Sequence, residues 1–324
     1  MVINTKYASM SLTIFIIKNV RVFGFGVFFS ACFLSLCSYG QQTFSYTQYM
    51  NNLTPINPAS SLMDNEGSLN LLARKQWVGI AGAPTTLFFN GNIPIENTKA
   101  SIGGIVENDQ FAVENLTEIN VYFAQSVRIG DEQFLSASLN AGFRNYATSY
   151  AQLDPTDPVL RDDVRENKPN AGFGVMYYSK FYYLGVSVPE LTIRNLGQGS
   201  LLDNNYFRNN YFFTAGATLK VSDGIQIKPS ALLSYTRGVP FVADISSTLV
   251  LKRVLGIGLN YRTDNEVALI VTTNFPNFNI GYSYQFGATA TTLAGYSNAT
   301  QEITLSYRFG KPGENVFNTD NKNK

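Results

Sequence analysis

The sequence predicts an all-β protein: a transmembrane antiparallel β-barrel of about 14 strands with a short N-terminal plug or strap segment. Three observations lead there. Charged residues make up only 15% of the 324-residue chain while aromatics reach 14%, against about 25% charged in an ordinary soluble domain. Apolar and polar residues alternate with a period of two along segment after segment, the side-chain period of a strand. The connections between these segments are short on one side and often long on the other, the asymmetry of an outer-membrane barrel.

Residues 1–40 read as a secretory signal peptide. Lys18 and Arg21 flank the apolar run VFGFGVFFSACFLSL, and Ser38-Tyr39-Gly40 sets small residues before a cleavage point near Gly40. The run is shorter than the roughly 20 apolar residues of a spanning helix. Met10 offers a second start. A rival reading makes Cys32 a lipidated cysteine after Phe29-Ser30-Ala31. Cys32 and Cys37 are the only cysteines and both lie in this leader, so no disulfide, thiol or zinc chemistry is expected of the mature chain. Histidine is absent, which removes the commonest general base and metal ligand. A net charge of +1 offers no surface for nucleic acid.

Residues 41–67 form the next segment. Tyr46, Tyr49, Met50 and Leu53 fall at the spacing of one helical face, and Pro55 and Pro58 end such a helix within about two turns. An amphipathic segment here fits either a plug in the barrel mouth or an ordered strap on the periplasmic side.

Residues 68–310 carry the barrel, with strands expected to start near Ser68, Thr85, Ala100, Thr117, Glu132, Lys168, Phe181, Tyr211, Ile225, Pro240, Val254, Glu266, Phe278 and Thr300. The clearest alternation sets Leu135, Leu139 and Phe143 against Ser136, Asn140 and Arg144. Residues 254–262, 278–286 and 300–309 repeat it. Connections are short at 95–99, 129–131, 179–180, 220–224, 252–253 and 274–277. They are longer at 108–116, 147–167, 190–210 and 287–299, with short exceptions near Gly238 and Asn265. After the leader no stretch reaches 18 consecutive apolar residues, so no transmembrane helix is expected. Tyr307-Arg308-Phe309 closes the last strand with interface aromatics, and residues 311–324 form a polar tail expected to be mobile.

Three stretches carry a resemblance: TQYMNNLTPINPA (47–59), RKQWVGIAGAPTT (74–86) and YLGVSVPEL (183–191). Together they resemble the signatures of the PorP/SprF family, outer-membrane components of the type IX secretion and gliding apparatus of Bacteroidota. The resemblance covers nearly all the mature chain, and Arg-x-Gln-Trp followed by Gly-Ala-Pro is its most specific part. It implies a barrel without enzymatic activity or cofactor. The partners it implies are the periplasmic ring and peptidoglycan-linked lipoproteins, together with a secreted adhesin or its C-terminal domain. Ser60-Ser61-Leu62 departs from the aromatic, Ala and Gly that usually follow Asn-Pro-Ala in the family.

Several constellations are candidates for function. Trp77 shares the lipid-facing parity of Leu69, Leu71, Ala73 and Lys75 and reads as an interface anchor. Gly79, Gly82 and Pro84 make the compact loop after it, either a tight hairpin or a surface that lets a partner's backbone approach closely. Leu201, Leu202, Tyr206 and Phe207 place apolar groups in the 190–210 loop, suited either to a partner or to packing over the barrel mouth. Arg74, Arg128, Arg144, Arg262 and Arg308 fall on the inward parity, as do Glu118, Asp244 and Glu302. Charges inside a membrane must pair or meet water, so they form either a salt-bridged network closing the lumen or the lining of a wet pore; pairing is favoured. Asp154, Asp157, Asp162 and Asp163 cluster without the spacing of a calcium loop and read first as a solvated loop. Gly172-x-Gly174 and Gly256-x-Gly258 lie inside strands and lack the context of phosphate loops. The functional expectation is export or surface anchoring of a large client, with a passive channel for small hydrophobic solutes as the alternative.

Overall fold

The computed structural model describes residues 46–64, 66–150, 163–193, 207–263, 265–287 and 299–310. Among the described residues fifteen strands run in chain order: β1 (Gly67–Lys75), β2 (Thr85–Ile95), β3 (Ala100–Phe111), β4 (Glu114–Gly130), β5 (Gln133–Thr148), β6 (Val164–Ser179), β7 (Tyr182–Thr192), β8 (Asn210–Ala217), β9 (Leu219–Ser222), β10 (Ile225–Thr236), β11 (Val242–Leu251), β12 (Leu255–Arg262), β13 (Glu266–Asn274), β14 (Phe278–Gly287) and β15 (Thr300–Phe309). Each pairs antiparallel with its neighbours, and β1 closes on β15 from Gly67↔Phe309 to Lys75↔Gln301. Strands β8 and β9 both pair with β10 and are one stave interrupted at Thr218, so the barrel has 14 staves, as the alternation predicts. Closure satisfies every edge, which is what lets strands cross hydrocarbon.

The alternating residues sort by face. Val121, Leu139 and Phe143 are 63%, 69% and 61% exposed on the outer surface, while their chain neighbours Asn120, Tyr122, Ser138 and Asn140 are buried inside. The outward residues face lipid and the inward ones the lumen. Aromatic pairs mark both rims: Phe278–Tyr307 and Tyr177–Tyr182 (ring centroids 4.8 and 5.8 Å) toward the short-turn end, Tyr211–Tyr235 (6.0 Å) toward the long-loop end.

Two expected features differ. The connection placed at 108–116 is a two-residue turn at Ala112-Val113 between β3 and β4, with Ala112 at φ +50°. Polar residues Asn108, Asn115 and Thr117 look like loop in sequence, but they bond to one another across the β3–β4 pair on its outer face near the loop end. The helix expected over residues 46–53 is a single 3-10 turn, Tyr49–Asn51, followed by a second, Pro58–Leu62. The wall supplies partners for the segment's polar groups, so no helical hydrogen-bond ladder is needed to bury it. The leader, the tail, Asp154, Asp157 and Asp162, and Leu201, Leu202 and Tyr206 lie outside the described residues.

Candidate functional site

Residues 46–63 lie within the barrel as a plug. Tyr46, Tyr49, Leu53, Ile56, Ala59 and Met63 pack with inward Leu72, Phe88, Tyr122, Met176, Tyr178 and Tyr183 into one buried apolar cluster. Tyr46 stacks on Phe88 with ring centroids 6.5 Å apart. The inner wall is therefore not uniformly polar: it carries its own core, built around the plug.

The plug's polar groups are met by the wall at both ends. Glu302 on β15 accepts the backbone N–H of Thr47 and of Gln48, each at 2.9 Å, one on each carboxylate oxygen. Arg74 on β1 lies 3.7 Å from Glu302, and both side chains are nearly fully buried. Thr47 Oγ1 donates to Gln285 Oε1 at 2.9 Å, and Thr304 Oγ1 to Gln48 Oε1 at 3.0 Å. Tyr49 reaches Ser230 at 3.1 Å and the Asp244 carbonyl at 3.3 Å. Further along, Asn57 caps the second turn through Ala59 N (3.1 Å) and donates to the carbonyls of Val175 (3.0 Å) and Val186 (3.3 Å). Ser187 donates to the Ile56 carbonyl at 2.7 Å, Ser136 to that of Ala59 at 2.9 Å, and Tyr178 to that of Leu62 at 3.2 Å.

The wall is shaped for these contacts. A Cβ at Gly174 would collide with Asn57 Oδ1, one at Gly185 would stand 2.9 Å from Asn57 Nδ2, and one at Gly281 would collide with Gln48 Oε1. Glycine here provides space for the approaching plug. The three signature stretches thus meet one another: Asn57 of the first sits over Gly185 of the third, and Arg74 of the second holds the carboxylate that binds Thr47 and Gln48 of the first.

Six of the eight inward charges named from the sequence are paired deep in the wall near the long-loop end. Besides Arg74–Glu302, Arg262 reaches Asp244 at 2.8 Å and Glu266 at 3.5 Å. Arg144 binds Glu118, reaches Glu190 at 3.3 Å and donates to Thr192 at 3.0 Å. Arg128 and Arg308 differ from expectation. Arg128 is at the last residues of β4 and its side chain is 54% exposed, pairing with Asp131 in the turn; strand parity lapses at the rim because no lumen remains to enclose it. Arg308 sits at the short-turn rim, 3.4 Å from Asp64.

Sequence reasoning missed Glu107 and Glu190. With Glu118 they place carboxylate oxygens within 4.8 Å of one another. Three such oxygens suit a divalent cation in type, but Arg144 already lies on two of them and supplies counter-charge. Glu107 was hidden by its place in a polar run, 107–110, that reads as loop.

Trp77 and the loop after it also bear on the first signature's neighbour in the wall. Strand β1 ends at Lys75, and Trp77 lies beyond it at φ +45°, half-buried and edge-on to Phe111 at 6.4 Å. It stands past the end of the strand, where the alternation of β1 no longer assigns it a face. Gln76 N bonds the Pro84 carbonyl at 2.9 Å and Ala112 N that of Gly82 at 2.8 Å, while Gly79 and Gly82 take φ of +101° and +73°. Phe207 is buried: it packs on Tyr146 at 6.3 Å and lies 5.7 Å from the Arg144 guanidinium.

Between the plug and the short-turn end lies a cavity of about 250 Å³, lined by Asn51, Asn52, Lys180, Lys228, Arg253 and Asn277 among others.

A closed 14-stave barrel with lipid-facing apolar residues and a buried N-terminal plug defines an outer-membrane-type barrel protein. The chain belongs to the family described as type IX secretion system membrane protein PorP/SprF, whose profile matches residues 38–307. No curated protein matches it. Among solved structures it is similar to the TodX deltaS2S3 mutant monoaromatic hydrocarbon channel, at 12% identity and TM-score 0.50 over 83% of this chain and 96% of that one. It is also similar to the CymD monoaromatic hydrocarbon channel (11% identity, TM-score 0.47, 82% and 94% covered) and the toluene transporter TbuX of Ralstonia pickettii (10%, 0.46, 82% and 94%). At these identities the likeness concerns the fold.

Proposed function

We propose that this chain is a non-enzymatic barrel component of the type IX secretion system that supports export or surface anchoring of a large adhesin or similar client at the outer membrane. The short-turn end faces the periplasm, toward ring and peptidoglycan-linked lipoprotein components. The long loops face outward, and the leader is removed near Gly40. Family membership supports the setting. The observation that carries the reading is the occupied lumen: plug residues Tyr46, Tyr49, Ile56 and Asn57 are at most 2% exposed, and the inward charges near the loop end are spent on pairing. A barrel sealed this way serves as a platform for other proteins better than as a diffusion path. Comparing surface-exposed protein in a deletion strain and its parent tests it. Loss of a large surface protein is expected. An unchanged surface profile with impaired uptake of an apolar solute would instead favour the hydrophobic-solute channel, and steady, wide conductance in planar bilayers would count against a sealed lumen.

A further inference from the structure

We propose that Glu107, Glu118 and Glu190 form a calcium site on the inner wall near the loop end, with Arg144 as its fixed counter-charge. Strands β3, β4 and β7 bring the three carboxylates together, and one oxygen of each lies within 4.8 Å of the others. Part of this cluster is an ordinary ion network. Arg144 binds Glu118 through Nε and Glu190 Oε2 through Nη2 at 3.3 Å, and Asn210 Nδ2 donates to the same Glu190 oxygen at 3.4 Å. Glu107 stands outside that network. It faces Glu118 directly across the β3–β4 pair and is 6% exposed, and among the described residues no hydrogen bond or ion pair reaches its carboxylate. Like charges directly opposite in an antiparallel pair repel, and a buried charge without a donor is costly. A carboxylate held there, aimed at two others, calls for a cation.

Charge, distance and ligand type select calcium. Three carboxylates against one guanidinium leave two negative charges in excess, which one divalent ion balances. Lys168 does not balance them. It is the partner of Arg144 on β6, three staves from Glu107 and so about 14 Å away at the spacing of strands, and no ion pair joins it to any of the three. Calcium takes six to eight oxygens at about 2.3–2.6 Å, so two ligands of one ion stand at most about 5 Å apart; the three oxygens lie inside that limit. Asn120 offers a neutral oxygen beside them. It follows Glu118 by two residues on the inner face of β4, is 5% exposed, and its Oδ1 has no hydrogen-bond partner. That oxygen lies over Gly142, two residues before Arg144, where a Cβ would collide with it. Amide oxygens serve calcium alongside carboxylates, whereas magnesium demands a near-ideal octahedron and keeps several waters, for which a collar already holding Arg144 is poorly shaped. An ion here ties β3 and β4 to β7 two residues before β7 ends, and so braces the loop end of the barrel.

The test uses the whole mature protein in mild detergent, stripped with EGTA and titrated with calcium chloride. Equilibrium dialysis is expected to show a calcium bound per folded chain that Glu107→Gln lacks, with a dissociation constant of about 0.1–1 mM, the range of extracellular calcium modules. At 100 times that constant the ion should lower the unfolding equilibrium constant about 100-fold, read as a higher urea midpoint, and magnesium should barely move it. Glu107→Gln keeps the shape and removes the uncompensated charge. In EGTA it should unfold at higher urea than the parent, and calcium should no longer shift it. Glu190→Gln should bind calcium at least about tenfold more weakly, and it carries the comparison if Glu107→Gln does not fold; heat-modifiable migration on gels shows which variants do. Equal calcium shifts in the parent and in a folded variant would place the ion elsewhere and overturn the proposal. So would a parent indifferent to calcium at about 10 mM, ten times the weak end of that range. If that parent were instead stabilised by a fall in pH, the excess charge would belong to protons shared among the carboxylates.

Discussion

The two ends of this lumen treat charge in opposite ways. At the loop end, arginines and carboxylates are buried beside one another: Arg144 is 1% exposed, Glu302 1% and Asp244 1%. Each is fixed by a partner in the wall or by the plug's own backbone. At the turn end, lysines and arginines stand around an open cavity with few carboxylates among them. Buried charge is tolerated only when paired, so the first set is committed to holding the plug.

Breaking the closed end should have the largest effect. In Glu302→Ala two backbone N–H groups and Arg74 lose their acceptor together. A buried pair broken from one side costs about 3–5 kcal/mol. Urea unfolding in detergent should show destabilisation of that order, and planar bilayers should show openings absent from the parent. A variant as stable and as silent as the parent would mean that Glu302 does not anchor the plug.

The lipid face provides the next contrast. Leu139 is 69% exposed on the barrel exterior, with Asn140 beside it turned into the lumen and bonded to the Pro189 carbonyl at 2.7 Å. Leu139→Arg should cost about 2–4 kcal/mol if the residue lies near the bilayer midplane. The measurement is folding free energy in lipid vesicles. A neutral outcome would indicate that this face meets water, and would remove the reason for calling the enclosed side a lumen.

A smaller effect is expected at the second anchor. Asn57→Ala removes the donor to Val175 and Val186 and the cap on Ala59, at about 1–3 kcal/mol. Gly185→Val should reproduce the defect from the wall side by refilling the space that Asn57 uses. If the two changes are made together, their costs should fall short of additive, because both act on one contact. Strict additivity would separate them.

How much of this was legible depends on the kind of constraint. Lipid contact acts on every second residue, so the strand starts near Ala100, Ile225 and Phe278 and the 14 staves follow from alternation. The plug–wall contacts join residues far apart in the chain, such as Thr47 with Glu302 and Asn57 with Val175, and no local pattern records them. Inward Phe88, Tyr122 and Met176 belong to the plug's core, yet in sequence they only blur the alternation. Strand parity does not extend to Trp77, because β1 ends at Lys75 and the backbone turns to positive φ there.

Arg128 closes the series with the smallest effect. It shares inward parity with the rest of β4, and by sequence alone it belongs with Arg144. Yet its side chain is 54% exposed and its partner Asp131 is 96% exposed. An ion pair held in water gains little, because solvent screens the attraction and ordering two flexible side chains offsets it. Arg128→Ala should therefore change stability by no more than about 0.5 kcal/mol and leave conductance unchanged, whereas Arg144→Ala, with Glu118 and Glu190 left unpaired, should approach the Glu302 result. Equal losses from the two arginines in parallel urea titrations would show that the rim is as enclosed as the plug's collar, and the contrast between the ends would fail.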